Sequence, residues 1–176
     1  WVDHIYINDL NPSIYTFWKV LLTRTDELCD WIASVDVTME NWRVYKDIQK
    51  NQETTDEFEL AKSTLFLNRT NISGVIKGGP IGGINQTGAY KIDVRFNKEE
   101  LIKKIRLIAT FKGKIHLSND DGLVFLKKIS RKREDVFVYL DPPYYKKAAD
   151  LYMNFFTDKN HEDLCELMSS YRKRWM

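Results

Sequence analysis

Asp141, Pro142, Pro143 and Tyr144 follow directly on the apolar run Val136, Phe137, Val138, Tyr139 and Leu140. Proline fixes φ and has no backbone donor, and the residue before a proline is driven to extended geometry. The run is therefore expected to be a buried strand that stops here, with Asp141 and Tyr144 held at its carboxyl edge on a stiff turn. In open α/β sheets that edge is where ligands bind. The residue types suit a planar heterocycle bearing an exocyclic amine. The Asp141 carboxylate and the Pro142 carbonyl can accept the two amine protons, while Tyr144 offers a flat face for stacking. Held between two acceptors, the nitrogen is drawn towards tetrahedral geometry. Its lone pair, normally delocalised into the ring, is then free to attack.

Such a turn needs a sheet behind it, and the composition allows one. The chain has 176 residues, which is one domain or one domain with an insertion. Its hydrophobic content of 43% and charged content of 30% permit a packed core. The net charge of +2 does not by itself select nucleic acid. Basic residues concentrate locally, at Lys127, Lys128, Arg131, Lys132 and Arg133 and again at Arg172, Lys173 and Arg174. Either run alone reads most simply as a solvated face. Cys29 and Cys165 make no disulfide framework, no metal-ligand spacing is present, and no long apolar span or leader is seen. These features fit a reduced, cytoplasmic setting with no membrane partner and no metal.

The elements alternate. His4 to Leu10 reads as a strand ending at Asp9, and Pro12 to Leu22 as a helix begun by Asn11 and Pro12. A second helix is expected over about Thr25 to Val35, mixed helix and loop over Val37 to Glu59, and a helix over Leu60 to Asn71. Glycines at 74, 78, 79, 82, 83 and 88 break all periodicity between Ile72 and Tyr90, which reads as a long loop. Asn97 to Phe111 is a capped helix, Lys114 to Leu117 a strand, and Leu123 to Arg131 a helix. After the strand bearing Asp141, Lys159 to Tyr171 is the last helix, and Arg174 to Met176 begin a strand. Alternating strands and helices imply a mostly parallel sheet.

The Asp-Pro-Pro-Tyr turn resembles the catalytic motif of the amino-group DNA methyltransferases, in the form typical of adenine-specific members. Over nearly its whole length the chain resembles the Dam type of that family. The resemblance implies a Rossmann-like, S-adenosylmethionine-dependent methyltransferase sheet with an inserted, mainly helical target-recognition region. It divides the chain into a first catalytic part at 1–37, the recognition insertion at 38–104 and a second catalytic part at 105–176. Asp141, Pro142, Pro143 and Tyr144 inherit the catalytic roles. Tyr6 to Asn11 resembles the segment whose acid binds the ribose hydroxyls of S-adenosylmethionine, which assigns Asp9. Ile115 to Gly122 resembles the strand and acidic turn that reads the adenine of the methyl donor, which favours Asp121 over Asp120. Asp141 is counted with both as a cofactor-binding residue. Leu65 to Gly83 and Tyr90 to Ile105 resemble the recognition region, and there Asn68, Arg69, Lys77 and Arg95 become candidate contacts to double-stranded DNA. Tyr145, Tyr152 and Phe156 either line the base pocket or pack beneath it.

The chain departs from the family in one respect. The Gly-rich loop that closes around the methionine part of the cofactor has no counterpart in residues 1–8, and the glycines at 78–83 follow no strand. The expectation is a central fragment with an incomplete sheet, whose first motif comes from missing chain segments or from a second chain. Two other readings remain open: an inactive DNA-binding remnant, and an amino-methyltransferase acting on cytosine, RNA or protein glutamine.

Overall fold

The computed structural model describes residues 2–142 and 157–176. The chain divides into two compact units, one made of residues 1–7 and 12–117, the other of 8–11 and 118–176.

The first unit is mainly helical. Strand β1 (Ile5–Asn8) pairs with β2 (Ile115–Ser118), and between them in sequence lie α1 (Pro12–Thr23), α2 (Thr25–Ser34), α3 (Met39–Lys50), α4 (Glu57–Thr70) and α5 (Lys98–Ala109). The helix starts follow capping chemistry. The side chains of Thr38, Asp56 and Asn97 accept backbone N–H bonds at the starts of α3, α4 and α5. Asp56 starts α4 three residues earlier than the apolar stripe alone indicates. Helix α4 is the centre of the unit, packed by α1 and α3, while α2 packs on α5. Leu21, Leu28, Ile32, Phe66 and Leu67 are fully buried there. Phe66 stacks at a tilt against Tyr45 and Phe96.

The second unit holds α6 (Gly122–Ser130), β3 (Phe137–Val138), α7 (Asp158–Ser169) and β4 (Arg174–Trp175). The strand at the chain end that the sequence indicates is present. It runs parallel to β3, pairing Phe137 with Arg174 and Val138 with Trp175. Two further bonds extend the ladder: Met176 N–H to the Val138 carbonyl at 3.1 Å and Leu140 N–H to the Met176 carbonyl at 2.9 Å. The expectation of a fully buried apolar strand does not hold. Val138 is buried, but Phe137 is 56% and Tyr139 69% exposed. Among the described residues β3 has one hydrogen-bonded neighbour, and alternate side chains of a singly paired strand point to opposite faces.

The architecture is thus mixed α/β with short two-stranded sheets. Among the described residues no helix is long and apolar enough to cross a membrane.

Candidate active site and nucleic-acid interface

The second unit gathers the acids at strand ends. Asn8, the last residue of β1, organises them, and it is a residue that sequence reasoning passed over. Its Oδ1 accepts from Ser118 Oγ and from the Asp120 N–H, both at 2.9 Å, and its Nδ2 donates to the Asp120 carbonyl at 3.0 Å. Asp9 N–H donates to the Ser118 carbonyl at 3.3 Å, and Asn119 Nδ2 donates to the Asp9 carbonyl at 2.7 Å. These bonds lace the end of β1 to the end of β2. The available signal was the Asn-Asp doublet closing an apolar strand, since a short amide there can bond neighbouring backbone.

Asp9 is half-buried, and its Oδ1 accepts the Asn11 N–H at 2.8 Å. Loss of solvation pushes its carboxyl above the usual aspartate value, opposed by the Asn11 hydrogen bond. A carboxylate short of hydrogen-bond donors is suited to a neutral ligand that brings two hydroxyls. Asp120 and Asp121 differ sharply. Both Asp120 oxygens bind Lys128 Nζ, at 2.9 and 2.8 Å. Asp121 is exposed and caps α6, its Oδ1 accepting from the Leu123 and Val124 N–H groups at 2.9 and 3.3 Å. Its Oδ2 has no hydrogen bond among the described residues. Asp141 and Pro142 are exposed, one and two residues beyond the last ladder bond of β3. Pro143, Tyr144, Tyr145, Tyr152 and Phe156 lie outside the described residues.

The first unit holds the candidate DNA contacts. Their heads are not equally available. Arg69 donates Nε and Nη2 to the Arg95 carbonyl at 2.9 and 2.8 Å, and its guanidinium is pushed down by burial and by the Arg95 charge. Asn68 Nδ2 donates to the Gly74 carbonyl at 3.1 Å. Both side chains therefore fasten the loop that follows α4. Lys77 is exposed and Arg95 is half-exposed.

That loop is built, not slack. Asn71, 0% exposed, accepts from Trp42 Nε1 at 2.7 Å and donates to the Val75 and Ile76 carbonyls at 2.8 and 2.9 Å. Lys46 Nζ points into the carbonyls of Ile76, Lys77 and Gly78 at 3.1, 2.9 and 3.2 Å. Burial pushes the Lys46 ammonium pKa down. Further on, Gln86 Nε2 donates to the Ile81 and Gly83 carbonyls at 2.8 and 2.7 Å, and its Oε1 accepts the Ile92 N–H at 2.9 Å. Gly82 has φ +86°, and a Cβ on it would lie 2.6 Å from the Tyr90 carbonyl oxygen, so only glycine fits. The result is a fixed loop with Ile72, Ile84, Tyr90 and Val94 exposed.

Acids thus stand at strand ends in one unit, and a hydrogen-bonded loop carrying basic side chains lies in the other. The chain belongs to the D12 class N6 adenine-specific DNA methyltransferases, whose family model matches residues 2–176. It is also similar to the Type II methyltransferase M.MjaIII of Methanocaldococcus jannaschii, with 25% identity across 96% of this chain. The chain spans 61% of the length of that relative.

Proposed function

We propose that this chain methylates the exocyclic N6 amine of adenine in duplex DNA, with S-adenosylmethionine as the donor, within a Rossmann-like sheet. The family match over residues 2–176 carries this reading, together with an acid placed immediately beyond the β3 ladder. The same match favours adenine over cytosine, RNA or protein glutamine. Residues 38–104 serve as the recognition insertion between catalytic parts at 1–37 and 105–176, and the cytoplasm is the proposed setting.

The bound donor supplies an electron-poor methyl group on sulfur. Asp9 would hold the ribose diol as acceptor, and the Asp121 Oδ2 would accept from the donor's adenine amine. The target adenine must leave the stack before its amine can be reached. Tyr144 would stack on the flipped ring, a contact worth about 1–3 kcal/mol. Asp141 and the Pro142 carbonyl would each accept one amine hydrogen bond, which localises the lone pair on the nitrogen and directs it at the methyl carbon. Transfer would exchange the donor's carbon–sulfur bond for a carbon–nitrogen bond, and Asp141 would pass the surplus amine proton to water. Positioning and charge placement supply the rate. The test is transfer from methyl-deuterated S-adenosylmethionine to duplex DNA. Label recovered on N6-methyladenine supports the proposal; label on cytosine alone, or on no base, overturns it.

The Asp9 environment predicts a pH dependence. Burial already favours the neutral carboxyl, and diol donors favour the carboxylate. Donor affinity should therefore be full well above the raised pKa and fall as pH drops through it. That fall begins at a higher pH than the ordinary aspartate value of 3.8 would give. Isothermal titration with S-adenosylhomocysteine across pH reads the effect. In Asp9→Asn the affinity should be weak and flat with pH, and an unchanged profile in that variant would remove Asp9 from the site.

Gln86 gives a second prediction. It positions the loop tip through bonds to both flanks, so Gln86→Ala frees a segment that must then be ordered by DNA. Ordering at the moment of binding reduces affinity. The expected result in steady-state transfer assays is a KM for DNA raised about tenfold with kcat within about threefold. A fall in kcat alone would contradict a positioning role.

A further inference from the structure

The two basic runs that look like separate solvated faces in the sequence meet in the second unit. Lys173 Nζ donates to the Lys132 and Glu134 carbonyls, both at 2.8 Å, which places Arg172–Arg174 beside the turn after α6. Tyr171 fixes the same junction by donating its hydroxyl to the Leu126 carbonyl at 3.2 Å. The local acids are already used. Asp120 pairs with Lys128 at 2.8 Å, Glu134 with Lys132 at 3.9 Å and Asp135 with Arg174 at 2.6 Å. That leaves Lys127, Arg131, Arg133 and Arg172, all exposed, with no ion pair among the described residues. The acids of α7, Asp158, Glu162, Asp163 and Glu166, make no ion pair with them. A helix C-terminus favours cations and accounts for lysines at the end of α6, but Arg133 and Arg172 lie beyond its reach.

The cluster stands apart from the acidic strand ends. It lies at the far end of α6 from Asp121, about 13 Å along a nine-residue helix. It also lies at the opposite end of β3 from Asp141. A group of cations with no ion-pairing acid among the described residues, away from the chemistry, fits a sequence-independent polyanion.

We propose that Lys127, Arg131, Arg133 and Arg172 form a second contact to the phosphate backbone of DNA, separate from the recognition loop and the reacting base. The proposal rests on the part of the proposed function by which the chain binds DNA, and not on methyl transfer. Its role is to hold the duplex without regard to sequence, so it contributes to affinity for long DNA and not to the methyl-transfer step. The test uses the intact protein and a long duplex lacking any methylation site, with binding measured across salt concentration. The quadruple alanine variant should lose about three to four from the salt exponent, at roughly 0.9 per contact. The variant with arginine replaced by lysine, and Lys127 kept, should retain the wild-type exponent. Turnover of the alanine variant on a short duplex should stay within about twofold of wild type. An unchanged exponent in a folded alanine variant overturns the proposal, as does a lysine variant as impaired as the alanine one. The readout needs no methyl transfer. A shifted exponent with no methylation by wild type would thus sink the catalytic reading and leave this one standing.

Discussion

Asp141→Ala is expected to reduce methyl transfer by about 10³-fold or more while DNA affinity stays within about threefold. The effect follows from the place of Asp141 and the nature of the nucleophile. An adenine amine is a poor nucleophile because its lone pair belongs to the ring. An acceptor aimed at the developing positive charge on nitrogen acts in the transition state, where such groups contribute most. Leu140 N–H is tied to the Met176 carbonyl at 2.9 Å, so the backbone one residue before Asp141 is fixed by the β3–β4 ladder. Alanine leaves that ladder intact and removes only the carboxylate. Asp141→Asn keeps one acceptor oxygen but loses the charge, so its activity should fall between the two. Single-turnover assays with a filter-binding control separate chemistry from binding. Turnover near wild type in Asp141→Ala would remove this residue from the mechanism.

Asn71→Ala should have the largest effect on stability. The Asn71 side chain is fully buried and joins α3, α4 and the loop after α4 through Trp42, Val75 and Ile76. Its loss leaves the Trp42 indole N–H without a partner and takes one of two donors from each carbonyl, Val75 keeping the Gly78 N–H and Ile76 keeping Lys46 Nζ. A buried polar group left unsatisfied costs about 1–3 kcal/mol, and with the two lost carbonyl bonds the total should be about 2–3 kcal/mol. Asn71→Asp keeps the acceptor for Trp42 but turns the donor towards the carbonyls into an acceptor, and should be at least as harmful. Denaturant unfolding measures the change. A loss under about 1 kcal/mol in the alanine variant would show that the loop is not anchored there.

Much of this was legible from residue types. The helix start at Pro12 and the cap at Asn97 follow local chemistry that the sequence carries, whereas α2 starts at Thr25 behind Arg24 with no side-chain cap. The short strand from Arg174 was also anticipated. Two features were not. The exposure of Phe137 and Tyr139 depends on how many neighbours β3 has, which an apolar run does not encode. The glycines between Ile72 and Tyr90 signalled a break in periodicity, but not that Asn71, Lys46 and Gln86 would close the loop through its own carbonyls. Carbonyl acceptors belong to every residue type, so such anchors leave no mark in the sequence. For the same reason Arg69 looked available for DNA, whereas two of its donors are given to the Arg95 backbone. Asn8 was overshadowed by its neighbour Asp9, although it is the amide that joins the two strand ends.

The most direct test of the central claim is nucleoside mass spectrometry of DNA from a methylase-deficient bacterial host expressing the intact protein, beside a host expressing Asp141→Ala. The account predicts N6-methyladenine in the first and none in the second. Absence of N6-methyladenine from both, with soluble protein that still binds DNA, would contradict it and leave a DNA-binding remnant in its place.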